Sequence, residues 1–321
     1  MPHILVAGKI HEAGVTLLKC APGLTFDLVN EVSVESYAPL VGKADAVLLR
    51  TQPMTAAIIA AAPKLKIVSR HGVGFDAVDV AALNARGIPL AIVGDVNSAA
   101  VAEHTLLMML AAARRTVAHD AAARNGNWQV RNNFEAVELG GKTLLLVGFG
   151  RIGRRVAKLA QSFGMIVMAH DPFVSIPAFQ EAGVETVPEI ETALGLADFL
   201  SVHVPHSPKG AVIGERQLAR MKASAIVINT ARGGLIDEAA LDAALRGGRL
   251  GGAALDVLVE EPPRLDHPLL GNPRITLSPH AAGLTQECAA RMAVSSVQNI
   301  LDCFAGNLDP RLIVNADAIT Q

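Results

Sequence analysis

Apolar residues fall into two alternating patterns along this chain. Short, nearly continuous apolar runs recur at residues 3–8 (HILVAG), 45–49 (DAVLL), 66–69 (KIVS), 143–147 (TLLLV), 165–169 (MIVMA), 197–202 (ADFLSV), 225–228 (AIVI) and 252–256 (GAALD). Runs of this kind are characteristic of parallel strands covered on both faces. Between them lie helical stretches at residues 12–19, 56–62, 151–163, 215–221 and 238–246. Strand alternating with helix predicts a doubly wound α/β architecture. A longer helix is expected over residues 98–119. Its LLMMLAAA stretch is apolar around much of the circumference, which predicts burial between domains or subunits.

The strongest nucleotide-binding signal sits near residue 148, whereas a dinucleotide fold usually opens with that strand. The residues before it need a sheet of their own, and residues 1–97 carry enough strand–helix alternation to form one. A last helix, about residues 287–304, is expected to cross back to that first sheet. The expected division is a discontinuous first domain, 1–97 plus 288–321, and a nucleotide domain, 98–287, with a hinge at the two crossings. The polar stretch 124–139 (RNGNWQVRNNFEAVEL) holds the only tryptophan, Trp128, and reads as an arm packed on a partner.

Composition narrows the function classes. The 321 residues are 51% hydrophobic and 18% charged, enough apolar material for a sizeable core. With 28 Lys and Arg against 30 Asp and Glu, and 3% aromatics, there is no basic footprint or stacking platform for nucleic acid or an anionic membrane. Cys20, Cys288 and Cys303 are widely spaced and form no CxxC, so no disulfide framework and no metal site are expected. That usage, with no signal peptide and no apolar run near the ~20 residues of a membrane span, predicts a soluble cytoplasmic protein.

Residues 148–153 (GFGRIG) follow an apolar strand and open a helix. In that setting Gly148 permits the tight turn, Gly150 lets backbone approach a pyrophosphate, and Gly153 lets helix pack on sheet. Asp171 ends the next strand, 23 residues after Gly148, where a carboxylate would accept from the adenosine ribose hydroxyls. Residues 172–183 contain no Arg or Lys to bind a 2′-phosphate, so NAD is expected over NADP. An unliganded glycine turn, with Asp171 as a turn residue before Pro172, is the plainer alternative.

Three later loops carry candidate chemistry. Arg232 lies in NTARGGLID (229–237) at a strand's carboxyl end, where a guanidinium can grip a carboxylate through two hydrogen bonds; a surface arginine in a turn is the alternative. Glu261 lies in DVLVEEP (256–262) and His280 in SPHAAG (278–283). A Glu bonded to the imidazole would favour its cationic form, and His280 could then donate a proton near neutral pH.

Seven segments, in order, resemble the D-isomer-specific 2-hydroxyacid dehydrogenases, near their phosphoglycerate dehydrogenase and hydroxypyruvate/glyoxylate reductase branches. They are RHGVGFDAVDV (70–80), NSAAVAEHTLLMML (97–110), GKTLLLVGFGRIG (141–153), HVPHSP (203–208), INTARGGLIDEAAL (228–241), ALDVLVEEP (254–262) and SPHAAG (278–283). The resemblance implies a Rossmann cofactor domain inserted into a smaller flavodoxin-like substrate domain. It implies that Arg232 binds the substrate's carboxylate and carbonyl, with Glu261 and His280 as the acid–base couple. Gly72, Val73 and Gly74 would hold the carboxylate, with Arg50 facing the substrate. Nicotinamide-side contacts would come from Val73, Thr230, Ala231, Arg232, Asp256, His280 and Gly283. Pyrophosphate and adenosine contacts would come from Arg151, Ile152, Asp171, Val204, Pro205 and Ser207.

The function so implied is hydride transfer between nicotinamide C4 and C2 of a small 2-keto or 2-hydroxy acid, in a homodimer formed through the arm near Trp128. An NAD(H)-binding sensor or corepressor-like protein on the same fold, and a formate- or phosphonate-oxidising relative, are the alternatives. The chain ends at Gln321, so the regulatory domain of long phosphoglycerate dehydrogenases is not expected. His71 departs from the small residue expected before the substrate loop, and reads either as a substrate contact or as a solvated side chain.

Overall fold

The computed structural model describes residues 1–206 and 210–319. Two compact units emerge, one formed by Met1–Asn97 with Leu284–Gln321, the other by Ser98–Gly283. The second crossing therefore lies four residues before the expected 288. It falls just ahead of Thr285, whose hydroxyl accepts from the Cys288 amide and caps the helix Gln286–Ala305.

The first unit holds β1 (His3–Ala7), β2 (Thr25–Val29), β3 (Ala46–Leu49), β4 (Ile67–Arg70) and β5 (Leu90–Ala91), in the order β2-β1-β3-β4-β5. The second holds β6 (Thr143–Val147), β7 (Ile166–His170), β8 (Glu185–Thr186), β9 (Phe199–Val202), β10 (Ile226–Asn229), β11 (Gly252–Leu255) and β12 (Ile275–Leu277), in the order β12-β11-β10-β9-β6-β7-β8. Every pairing between these strands is parallel. The orders are those of a flavodoxin-like sheet and a Rossmann sheet, with switch points between β1 and β3 and between β6 and β9.

The apolar runs are explained by strand alternation. In β6, Leu145 and Val147 enter one core cluster while Leu144 and Leu146 enter the cluster on the opposite face. In β1, Leu5 and Ala7 face one cluster, Ile4 and Val6 the other. Successive side chains point to opposite faces, so a sheet with both faces covered needs apolar residues at every position. Cutting Leu145 to Ala would remove atoms from such a core at a cost of about 2–5 kcal/mol.

The helix expected over residues 98–119 is two helices, Ser98–Ala113 and Thr116–Arg124. Arg115 between them takes the left-handed conformation, φ +50°, and its Nε pairs with Glu135 at 3.1 Å. The first helix packs on the helix Arg151–Ser162 and on β10, β11 and β12, which buries much of its apolar circumference within one unit, while Leu107 stays 58% exposed. Among the described residues, no helix is long and apolar enough to cross a membrane.

Candidate active site

The turn after β6 is built for close approach. Gly148 has φ +100°, and a β-carbon there would lie 2.6 Å from the His203 carbonyl oxygen. A β-carbon on Gly153 would lie 2.3 Å from the Gly148 carbonyl. Gly150 differs: a β-carbon there would meet nothing within 4 Å, so the space over it is open. Gly150 also begins the helix Arg151–Ser162 without a side-chain cap, leaving first-turn N–H groups facing outward for an anion. Arg151 and Ile152 are the first residues of that helix.

Asp171 braces the turn from the neighbouring strand end. Its Oδ2 accepts from the Phe149 amide at 2.8 Å and its Oδ1 from the Phe173 amide at 3.0 Å. A carboxylate offers about four acceptor sites, so capacity remains for two ribose hydroxyls. Val204 and Pro205 follow β9, the first half-buried and the second exposed; Ser207 lies outside the described residues. An open glycine, an uncapped helix start and an acceptor at the adjacent strand end suit a dinucleotide.

The Arg232 loop is held by Asn229, a buried residue to which the sequence reading assigned no role. Its side-chain amide donates to the Arg232 carbonyl at 2.7 Å, and its Oδ1 accepts from the Ala231 amide at 3.0 Å. The glycine after Arg232 is Gly233. Its observed role is packing, since a β-carbon on Gly233 would lie 2.0 Å from the Leu258 carbonyl oxygen. That contact presses the Arg232 loop against the loop carrying Glu261. Thr230 is buried, with its hydroxyl 2.7 Å from that of Thr105, so its side chain faces inward.

Glu261 and His280 meet directly, Nδ1 to Oε2 at 2.6 Å. The other Glu261 oxygen accepts from the Leu258 amide at 3.0 Å, which fixes the carboxylate's orientation. The bond to Glu261 raises the His280 pKa, with burial and the nearby Arg232 charge opposing. Burial is the largest influence and works against ionisation of Glu261, but the hydrogen bond and charge of His280 and the Leu258 amide together outweigh it and hold the carboxyl below its usual range. His280 itself has φ +51°, a conformation uncommon for a residue with a side chain and typical of constrained sites.

Asp256 supplies the constraint. Its side chain is fully buried, accepting from Ser278 Oγ at 2.5 Å and from the Ala281 and Ala282 amides at 2.8 and 3.0 Å. Its carbonyl takes the His280 amide at 2.7 Å. Burial penalises the charge, yet His104, Ser278 and the two amides together depress the pKa to about 2. Asp256 is thus placed as the scaffold of the loop that ends at half-buried Gly283.

The first unit gathers its own candidates. The Arg70 guanidinium donates to the Gly74 carbonyl at 2.6 Å, to the Leu49 carbonyl at 2.9 Å and to the Arg50 carbonyl, tying the loops after β3 and β4 together. Gly72, Val73 and Gly74 are half-buried, and Arg50 reaches the Lys9 carbonyl at 3.1 Å. His71 is not solvated: it is 8% exposed, its Nε2 is buried without a hydrogen-bond partner among the described residues, and burial lowers its pKa to about 4.

Residues 106–282 match the model of the NAD-binding domain of D-isomer specific 2-hydroxyacid dehydrogenases. The chain is 38% identical over 323 residues to D-3-phosphoglycerate dehydrogenase of Methanocaldococcus jannaschii, covering 100% of this chain and 61% of that one. It is 37% identical over 320 residues to glyoxylate reductase of Korarchaeum cryptofilum, covering 97% and 96%. It spans only about three-fifths of the length of several phosphoglycerate dehydrogenases it matches. The crystal structure of a protein from Thermus thermophilus superposes with TM-score 0.89 at 33% identity, covering 97% of this chain and 99% of that one. D-lactate dehydrogenase of Aquifex aeolicus, solved with NAD and lactic acid, superposes with TM-score 0.87 at 26% identity, covering 97% and 98%. With two parallel sheets in these orders and matches along its whole length, the chain belongs to the D-isomer specific 2-hydroxyacid dehydrogenase family.

Proposed function

We propose that this protein is an NAD-dependent D-2-hydroxyacid dehydrogenase, working in reverse as a 2-ketoacid reductase. The observation that carries the reading is the 2.6 Å Glu261–His280 pair, whose Glu261 loop presses against the loop of Arg232. Bound NADH would supply a hydride to C2 of the keto acid. With Nδ1 committed to Glu261, His280 presents Nε2 as the atom that gives a proton to the keto oxygen, or takes one from the hydroxyl in oxidation. The Glu261 carboxylate stabilises the imidazolium and fixes the ring. Arg232 holds the substrate carboxylate and polarises the carbonyl. Backbone amides of Gly72, Val73 and Gly74, with Arg50, are the first unit's candidates for binding a carboxylate.

Gly148, Gly150, Arg151, Ile152 and Gly153 would carry the pyrophosphate, with Val204, Pro205 and Ser207 alongside. Asp171 would carry the ribose and repel a 2′-phosphate. Val73, Thr230, Ala231, Asp256 and Gly283 would adjoin the nicotinamide, Thr230 and Asp256 through their backbones, since their side chains are turned into the protein. The relatives' names, a phosphoglycerate dehydrogenase, a glyoxylate reductase and a lactate dehydrogenase, support small 2-keto acids as the substrate class. Exposed Trp128 (65%) and Phe134 (89%) on the arm support a homodimer, and three cysteines without a disulfide support the cytoplasm.

The test is loss of NADH absorbance with glyoxylate, hydroxypyruvate and other small 2-keto acids. Turnover with at least one, and a preference for NADH over NADPH that Asp171→Ala erodes, is expected. NADH binding without turnover across the panel overturns the reading.

A further inference from the structure

The helix Ser98–Ala113 packs on β10, β11 and β12, the adjacent parallel strands whose loops carry Arg232, Asp256 and His280. Two consecutive residues of that helix, His104 and Thr105, place polar atoms on two of these loops.

The His104 link can be traced proton by proton. Ser278 Oγ lies 2.5 Å from Asp256 Oδ1 and 2.9 Å from His104 Nε2. Asp256 is ionised at neutral pH and can only accept, so the single Ser278 hydroxyl proton goes to Asp256. His104 Nε2 must then be the donor to Ser278, which fixes its tautomer. The chain runs from His104 through Ser278 to the carboxylate that holds the Ala281 and Ala282 amides.

The Thr105 link follows the same logic. Thr105 Oγ1 donates its one proton to the Val101 carbonyl at 2.8 Å, so at 2.7 Å the Thr230 hydroxyl must donate to Thr105. Thr230 sits two residues before Arg232, on the segment stapled by Asn229. Both threonines are buried, so loss of either partner strands a buried hydroxyl.

We propose that His104 and Thr105 are positioning residues: one helix pins the His280 loop through Ser278 and Asp256, and the Arg232 loop through Thr230, and so fixes the proton donor relative to the carboxylate anchor. Neither touches the reacting atoms. The proposal rests on the roles given above to Arg232 and His280. Misplacement by about 1 Å of a group that must be aligned can cost on the order of 10²-fold in rate, so the brace acts on kcat.

The experiment compares His104→Leu and Thr105→Val, which break the links, with His104→Gln and Thr105→Ser, which keep a donor and an acceptor. The readouts are kcat, NADH affinity by fluorescence, the primary isotope effect with C4-deuterated NADH, and amide exchange. Each breaking variant is expected to lower kcat by ~10–100-fold with NADH affinity within about twofold, and to raise the isotope effect. The conservative pair should recover to within about threefold of wild type. The double breaking variant should lose less than the product of the single losses, as residues acting as one unit do. Exchange should quicken over residues 280–283 in His104→Leu and over 229–234 in Thr105→Val.

Wild-type kcat in both breaking variants, failure of Gln and Ser to rescue, or faster exchange spread over the whole chain would each overturn the proposal. If the wild type reduced no 2-keto acid, the functional reading would fall while the exchange pattern still decided whether the brace exists.

Discussion

His203 and His280 both follow strands at the carboxyl edge of the same sheet, yet the protein treats them oppositely. His203 has a neutral partner, the Ser201 hydroxyl at 2.9 Å, while its Nδ1 is buried without a partner among the described residues. Burial lowers its pKa to about 4. His280 has a carboxylate partner at 2.6 Å, and its pKa moves the other way. His71, after β4 in the other unit, behaves like His203. A histidine at a strand end is therefore no acid–base group in itself. The sign of its shift depends on whether an anion compensates the loss of water.

The largest effect expected from this contrast is that of removing the charged histidine. His280→Ala should lower kcat by roughly 10²–10⁴-fold, the scale of general acid–base catalysis, while NADH still binds. Unchanged steady-state kcat would break the contrast at its centre. Arg232→Lys comes next. An ammonium cannot reproduce the two-pronged grip, so KM for the keto acid should rise by about tenfold or more, visible in initial-rate kinetics; a wild-type KM would remove Arg232 from the carboxylate.

Much of this was legible in the chain because the physics was local. Leu144 to Leu146 announce a strand covered on both faces, and the glycines at 148, 150 and 153 announce its turn. The edge strands β2 and β8 were not legible. Glu185–Thr186 is two polar residues, and Thr25–Val29 (TFDLV) is interrupted by Asp27 and has no fully buried position, so neither carries a continuous apolar run. The break at Arg115 was hidden for a different reason. Arginine suits helices, and the contact beside the turn is with Glu135, twenty residues away in sequence. Glu261 and His280 could be read from their motifs, but the burial of His71 and the inward faces of Asn229, Thr230 and His104 come from packing among distant segments. Asp256 shows the limit most clearly: the motif marks it for the site, while only the fold reveals that its oxygens support the loop.

Glu261→Gln sharpens the contrast by making His280 more like His203. In the reduction direction the imidazole must enter protonated, so kcat/KM falls as pH rises through its pKa. Glu261 raises that pKa and extends activity toward higher pH. The amide keeps a hydrogen-bonding oxygen but loses the charge, so the falling limb should move to lower pH, with kcat at neutral pH down by about tenfold. A limb that stays in place would mean that another group sets the protonation state.

The smallest effect concerns stability and reads the other half of the contrast. His71 and His203 titrate near 4 when folded and near 6.5 when unfolded. Between those values the unfolded chain binds more protons, so stability rises with pH across the window. The contribution is present above pH 6.5 and is lost as pH falls toward 4. For deeply buried His71 the loss is on the order of 3 kcal/mol at most, and it is the ceiling set by the shift. Urea unfolding between pH 7 and 4.5 should therefore show a steep loss in wild type and a shallower one in the double variant His71→Gln, His203→Gln, whose side chains cannot charge. Carboxylates titrate alike in both proteins and cancel in the difference. Parallel curves would mean that these two imidazoles reach water when protonated, and that burial does not separate them from His280.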